Sequence, residues 1–232
     1  MSRIFAASGD HLDSSSTIIT DVPFSMFCWM KETVSSNGKI VICVGTTGSS
    51  NTRYDLETFN NANNQIGANS NEKDDAGGSH GGLLSANTIQ AYPGIWRPYG
   101  STFTDHNNRA SFLEGRIGAG TGAATTSAVN SIRISGDPLG VNPIVVTTYI
   151  AHIALWNVVL SASEINQLHY LLPNQVRVAN LVNYWPLLNN QSSEPDYGSG
   201  NLPLTVTGTT FSTDNPNIAG TQVIQLMGQA GS

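Results

Sequence analysis

Three aspartates in turn-forming sequences are the residues best suited to hold a metal ion. Asp10 and Asp13 stand close together near the N-terminus, and Asp137 lies in a Gly-Asp-Pro sequence. Ca²⁺ prefers carboxylate and carbonyl oxygens, which loops supply together. These residues predict a calcium site, and the alternative for Asp137 is a turn in which its carboxylate caps the backbone. A second acidic group, for which a solvated loop is the alternative, comprises Glu72, Asp74 and Asp75.

Aromatic side chains are the second group that could do chemistry, because exposed rings stack on sugars and other flat ligands. Trp96 lies in a polar, proline-bounded context, unlike the other three tryptophans. We predict a ligand platform that comprises Trp96, Tyr92, Tyr99 and Tyr54. The tryptophans predicted to lie in the core instead are Trp29, Trp156 and Trp185.

The two cysteines, Cys28 and Cys43, each lie inside an apolar run. Neighbouring strands could bring them close enough for a disulfide. Two reduced, buried thiols are the simpler interpretation, because free cysteine behaves as a small apolar side chain. The chain has no Cys-x-x-Cys sequence and no Cys/His cluster, so its sequence does not indicate a zinc site.

Charge and apolar patterning argue against a nucleic-acid partner and against membrane insertion. Charged residues make up 11% of the chain, and the formal net charge is −6. A phosphate backbone would be repelled by this charge, and no basic run appears, so we expect no nucleic-acid partner. The N-terminal residues do not resemble a signal peptide, and no apolar stretch approaches the roughly 20 residues of a membrane helix. We therefore expect a chain that is made in the cytoplasm and inserts into no membrane.

The elements that must position these residues are mostly strands. Short apolar runs alternate with Gly, Ser, Asn and Pro clusters, which is typical of a sandwich or barrel. Strands are predicted at 24–30, 40–45 and 149–157, whereas the polar segment 60–82 is predicted mainly as loop with at most one exposed strand. We expect a single domain over residues 1–232. Residues 215–232 would form a C-terminal arm that closes the sheet or reaches a neighbouring subunit.

One segment predicts a helix. Ser161 and Glu164 form the S-x-x-E pattern of a capping box. Ile165 and Leu168 follow at helical spacing, and Pro173 ends the run. We expect a helix of about ten residues that packs over the end of the sandwich.

Three segments, in this order, resemble the laminin-G-like and pentraxin branch of the concanavalin A-like jelly rolls. RIFAASGDHLD and PFSMFCWMK (residues 3–13 and 23–31) are similar to the family's F-x-G-x-x-D-Y-L and P-F-T-I-S-x-W-V-K. Residues 149–165, YIAHIALWN running into LSASEI, resemble G-x-I-x-x-V-x-I-W-N-x-x-L-S-x-x-E-I, and LVNYWPL (181–187) resembles L-V-A-Y-W-P-L-D. The resemblance implies an all-β fold, a two-sheet antiparallel jelly-roll β-sandwich with one short helix. Residues 60–127 carry no clear family pattern.

The resemblance also supplies a test for catalysis. Enzymes of this fold that cleave β-glucans carry an E-x-D-x-x-E strand whose carboxylates act as nucleophile and general acid. None of the glutamates begins that pattern, and the chain has no G-x-S-x-G elbow. We therefore predict that the protein is not an enzyme, and a glycan-cleaving or esterase activity is the least favoured function.

Two functions remain from the sequence. Free-standing jelly-roll chains of this kind look like proteins encoded among phage structural genes, so the main prediction is a structural or decoration protein of a tailed-phage virion. Its partners would be other capsid or tail proteins, or copies of itself, and it would be localised in the virion. The alternative is a carbohydrate-binding adhesion lectin that recognises cell-surface glycans, with calcium as a cofactor.

Overall fold

The computed structural model describes residues 1–60, 66–76, 78–83 and 93–218. Within this part the fold is built almost entirely from β-strands. The strands are β1 (Ser2–Phe5), β2 (His11–Ser14), β3 (Phe24–Glu32), β4 (Ile40–Gly45), β5 (Arg53–Asn60), β6 (Ile66–Lys73), β7 (Ser79–Leu83), β8 (Arg97–Asp105), β9 (Asn108–Leu113), β10 (Arg116–Thr121), β11 (Ser131–Ile134), β12 (Thr148–Trp156), β13 (Leu181–Trp185), β14 (Ser193–Glu194), β15 (Leu204–Thr207) and β16 (Thr210–Ser212).

The strands form two antiparallel sheets that pack face to face. Sheet A has the order β10-β9-β8-β3-β12-β1-β16, and β13 also pairs with β12. Sheet B has the order β14-β15-β2-β11-β4-β5-β6-β7. Neighbours in both sheets come from distant parts of the chain, as β3 and β12 do. The two-sheet jelly-roll sandwich predicted from the sequence is confirmed.

Strand β3 shows why the sequence folds into layers. Side chains on a strand alternate between its two faces. Met26, Cys28 and Met30 point into the core between the sheets, whereas Phe27 and Trp29 point outward. Both sets are buried, so the strand predicted at 24–30 is confirmed, and it is buried on both faces. Each fully buried side chain of this size contributes roughly 1.5–3 kcal/mol relative to an exposed one.

A short helix packs against part of the outer face of sheet A. Helix α1 spans Ala162–Gln167 and has the predicted capping box, with Ser161 and Glu164 bonding reciprocally. The helix is shorter than expected, because the Leu168 N–H already donates to the Ile165 carbonyl and tightens the last turn. It packs on the outward side chains of sheet A and not over the end of the sandwich, which corrects the predicted position.

The segment predicted mainly as loop contains two strands. Strands β6 and β7 continue sheet B beyond β5, and Ala68 and Ser70 of β6 are buried. The prediction was wrong because these strands need few apolar residues. Their backbone ladder supplies the pairing, and small side chains fit against the core.

The cysteines and tryptophans lie where the simpler interpretation placed them. Both thiols are free and buried, and burial raises the pKa of each well above its ordinary value. Cys28 is on the inner face of sheet A, whereas Cys43 of sheet B is outside the inter-sheet core. The predicted core tryptophans are buried: Trp29, Trp156 and Trp185. Among the described residues, no helix has the length and hydropathy of a membrane span.

Candidate binding site

A row of polar residues crosses the outer face of sheet B. Residues that lie directly opposite one another on adjacent strands present their side chains on the same face. From β15 through β6, the residues in register are Thr205, Asp13, Arg133, Cys43, Asp55 and Asn71. The inward neighbours of this row, such as Leu12 and Ile134, belong to the core. Sheet B therefore has an apolar inner face and a polar outer one.

A shallow groove of about 70 Å³ lies on this face, along β2 and β11. Its charged lining residues are Asp13 and Arg133, and Pro138 forms part of its wall. The hydroxyl groups along it belong to Ser14, Ser15, Thr47 and Ser131. Donors, acceptors and one apolar wall therefore converge on a small surface.

Asp13 and Arg133 are opposite each other in the sheet, but they do not form an ion pair. Arg133 turns toward the following loop, where its Nε donates to the Ser135 carbonyl at 3.2 Å. The Asp13 side chain is 41% exposed, and the His11 imidazole Nε2 lies 3.9 Å from its Oδ2. All acidic side chains of the chain lie in the described part, and none is within 4.0 Å of the Arg133 guanidinium. The groove thus has an unneutralised donor on one side and an acceptor on the other.

The loop beside the groove is tightly braced. Asp137 Oδ1 accepts hydrogen bonds from the Leu139 and Val141 N–H groups at 3.0 and 2.9 Å. Its other oxygen lies 3.4 Å from Arg53 Nη1. Ser135, with φ of 72°, occupies the left-handed region, which costs energy for a residue with a side chain. Asp137 therefore acts as the turn cap that the sequence left open as the alternative to a calcium ligand.

The remaining calcium candidates do not assemble into a site. Asp10 Oδ2 accepts the Ala6 and Ala7 N–H groups at 2.8 and 2.9 Å and so closes the turn between β1 and β2. Asp13 faces the groove. In the described part of the chain, no three His, Cys, Asp or Glu side chains form a group that could hold a metal ion. The calcium prediction has no ligand set here and stays a prediction.

The second acidic group is dispersed in the same way. Glu72 is fully buried and contacts Thr126, His106 and Arg109, with distances of 2.7, 2.7 and 3.2 Å. Asp74 accepts the Gly78 N–H and closes the turn between β6 and β7. Asp75 is exposed, and hydrogen bonds from Ser127 lower its pKa. These three carboxylates have separate partners and do not form a common site.

The aromatic platform needs correction. Tyr54 and Tyr99 are 0% and 1% exposed, because strand alternation directs both rings into the core. Neither ring can stack on a ligand. Tyr92 lies outside the described residues.

Trp96 is half-buried, and its contacts tie it to other parts of the chain. Its Nε1 donates to Asp214 at 2.9 Å, and its ring lies edge-on to Tyr149. The Lys31 ammonium lies 4.1 Å from the Tyr149 ring centre and also pairs with Asp214. Trp96 therefore helps to hold the segment around Asp214 against sheet A.

Burial changes the charge of the polar row. Loss of solvation raises the pKa of Asp55 to about 7, although the nearby Arg53 opposes the shift from 2.6 Å. Near neutral pH the row therefore carries less negative charge than its composition indicates. Sequence reasoning missed Arg133 and the hydroxyl groups of the groove. The available signal was the alternating run Ser131–Ile134, whose outward positions are polar.

At the level of sequence, no protein-family model and no curated protein matches the chain. Solved structures do match its fold. A protein from Bacteroides ovatus named for carbohydrate binding aligns with a TM-score of 0.62 and 14% identity, over 93% of this chain and 61% of that one. The SAP-like pentraxin of Limulus polyphemus aligns with a TM-score of 0.57 and 13% identity, over 72% and 81%.

A third structure is the CBM40 domain of the Ruminococcus gnavus IT-sialidase bound to α2,3-sialyllactose. It aligns with a TM-score of 0.55 and 13% identity, over 72% of this chain and 95% of that domain. At these identities the likeness shows the fold. The pentraxin-type jelly roll predicted from the sequence is therefore confirmed as an architecture.

Proposed function

We propose that the protein is a carbohydrate-binding module that holds a glycan in the groove on the outer face of sheet B. The observation that carries the proposal is the separation of Asp13 from Arg133. Two opposite charges lie in register across adjacent strands, and neither neutralises the other. This arrangement leaves one acceptor and one donor for a ligand that has both kinds of group.

Sugar hydroxyls are such groups, because each one donates and accepts hydrogen bonds. Asp13 would accept from a hydroxyl, Arg133 would donate to an oxygen, and the serine and threonine hydroxyls would complete the network. Pro138 offers an apolar surface to the C–H face of a sugar ring. The groove is shallow, which suits one side of an extended saccharide better than an enclosed small molecule.

The comparisons support this proposal and favour it over the virion role. One aligned structure is named for carbohydrate binding, and another contains bound α2,3-sialyllactose. Nothing in the fold or in these likenesses favours a phage particle. The virion location and the capsid or tail partners stay predictions, which mass spectrometry of an intact source particle would test.

We propose binding without turnover. Hydrolysis of a glycosidic bond requires two carboxyl groups across the scissile bond. Among the residues that line the groove, Asp13 is the one that carries a carboxylate. Release of reducing sugar from a bound polysaccharide, abolished by Asp13→Ala, would instead assign a catalytic role.

A glycan array tests the proposal directly. The protein is applied with Ca²⁺ and again with EDTA, beside the variants Asp13→Ala and Trp96→Ala. We expect binding that Asp13→Ala weakens by roughly tenfold or more, since a charged hydrogen bond is lost, and that Trp96→Ala leaves within twofold. Loss on EDTA would revive the calcium prediction. Absence of binding to every glycan, or equal binding by Asp13→Ala, would contradict the proposal.

A further inference from the structure

Arg133 is half-buried and has no counter-charge among the described residues. Of the seven arginines, five pair with carboxylates: Arg3, Arg53, Arg97, Arg109 and Arg177. Arg116 is exposed on β10, where water solvates it. Arg133 is half-buried at the groove, and no carboxylate of the described residues lies within 4.0 Å of it. A partly desolvated guanidinium without a counter-charge is stabilised when an anion reaches it.

The guanidinium is also held in place. Its Nε is bonded to the Ser135 carbonyl, so the remaining donors belong to the terminal nitrogens. Gly140 leaves room for this position, because a Cβ there would lie 3.3 Å from Arg133 Nη2. Ser135 and Gly140 belong to one loop, and the hydrogen bonds that Asp137 accepts hold this loop in place. The terminal donors are thus ordered before any ligand binds, which reduces the entropy cost of binding.

We infer that the saccharide bound in this groove carries a carboxylate and that Arg133 binds it. This inference rests on the proposed function and adds the class of ligand: uronic acids, nonulosonic acids and other acidic sugars. A planar guanidinium matches a carboxylate with two parallel hydrogen bonds, a geometry that a neutral hydroxyl cannot reproduce.

The neighbouring charges restrict how such a ligand lies. Asp13 repels a carboxylate, so the acidic group must lie on the Arg133 side while hydroxyls face Asp13. Asp137 and Arg53 neutralise each other beneath the loop, and burial keeps Asp55 partly protonated near neutral pH. The ligand therefore needs an acidic group and hydroxyls on one short stretch of sugar.

The test compares acidic saccharides with their methyl esters, which keep the sugar and remove the charge. An array of uronic- and nonulosonic-acid oligosaccharides and their esters is probed with the wild-type protein and the variants Arg133→Ala, Arg133→Lys and Arg116→Ala. We expect the acids to bind roughly tenfold to a hundredfold more tightly than their esters. Arg133→Ala should lose this difference, Arg133→Lys should keep part of it, and Arg116→Ala should retain it.

Asp13→Asn adds a discriminating measurement, because asparagine keeps an acceptor oxygen and removes the repulsion. For an acidic ligand, Asp13→Asn should lose less affinity than Asp13→Ala, because the amide oxygen still accepts a hydrogen bond and the repulsion is gone. Unchanged thermal unfolding temperatures show that the variants are folded. Equal binding of acids and esters, insensitive to Arg133→Ala, would overturn the inference and leave the proposed function intact. No binding of any glycan would overturn both.

Discussion

The two outer faces of the sandwich have the same strand geometry, but one packs against apolar side chains and the other keeps a polar groove. On sheet A, the outward positions carry Phe27, Trp29 and Trp156, and Ile165 of helix α1 joins them in a second core together with apolar residues of the flanking segments.

On sheet B, the outward positions carry polar residues, of which Asp55 and Asn71 are buried, whereas a groove remains beside Asp13 and Arg133. Both faces arise from the same two-residue period. Apolar outward side chains form a second core on sheet A, and polar ones on sheet B leave part of the face for a ligand.

The largest expected effect comes from opening the covered face. Trp156 is fully buried, and its Nε1 donates to the Val176 carbonyl at 3.0 Å. Trp156→Ala should lower the free energy of unfolding by about 3–5 kcal/mol, because it leaves a cavity and an unpaired carbonyl. Urea denaturation measures the change, and Trp156→Phe is the smaller control substitution. A loss under 1 kcal/mol would mean that this face is not a true second core.

The covered face should also weaken in acid through His152. This histidine occupies a bulge in β12 with φ of 52°, and it contacts the Tyr184 hydroxyl at 2.8 Å. Burial lowers the pKa of His152 to about 3, below its ordinary 6.5, so the unfolded chain binds a proton that the folded one does not. Stability is lost as the pH falls from 6.5 toward 3, by about 2 kcal/mol between pH 6.5 and 5. His152→Asn, which suits a positive φ, should remove this part of the pH dependence, and an unchanged profile in urea titrations would refute the assignment.

The polar face should show the opposite trend through Asp55. Because burial raises the pKa of Asp55 to about 7 from 3.8, the folded chain retains a proton that the unfolded chain releases. Stability from this group is lost as the pH rises from about 4 through 7, by about 1–2 kcal/mol between pH 5 and 6.5. Asp55→Asn should flatten that decline. The substitution also removes the partner of Arg53, and this loss lowers the free energy of unfolding at every pH. A steeper decline in the variant would contradict the account.

The smallest expected effect on stability lies at the groove itself. Asp13 is partly exposed, and the His11 imidazole lies 3.9 Å from its carboxylate. Asp13→Ala should therefore change the free energy of unfolding by less than about 0.5 kcal/mol, although it weakens glycan binding. Thermal and urea unfolding at pH 7 measure this. A loss above 2 kcal/mol would make Asp13 a structural residue and undermine its role in the groove.

The sequence predicted the architecture better than the site, for physical reasons. The apolar run of β3 and the capping box at Ser161 depend on neighbours in the chain, and both were recognised. Strands β6 and β7 were missed because polar side chains hide a ladder that backbone atoms form. Tyr54 and Tyr99 were assigned to a platform because sequence context does not state which face of a strand meets the core. The Arg133 groove depends on the distance to a loop and to a distant strand, and periodicity alone does not give that distance.

The most direct test of the account is to map where a bound glycan lies. Amide hydrogen exchange with mass spectrometry, with and without a saturating oligosaccharide from the array, compares the two outer faces in one experiment. The account predicts added protection in β2, β11 and the loop 135–142, and none in α1 or the region around Trp96. Protection confined to the outer face of sheet A or to the Trp96 region would contradict the claim that sheet B carries the binding face.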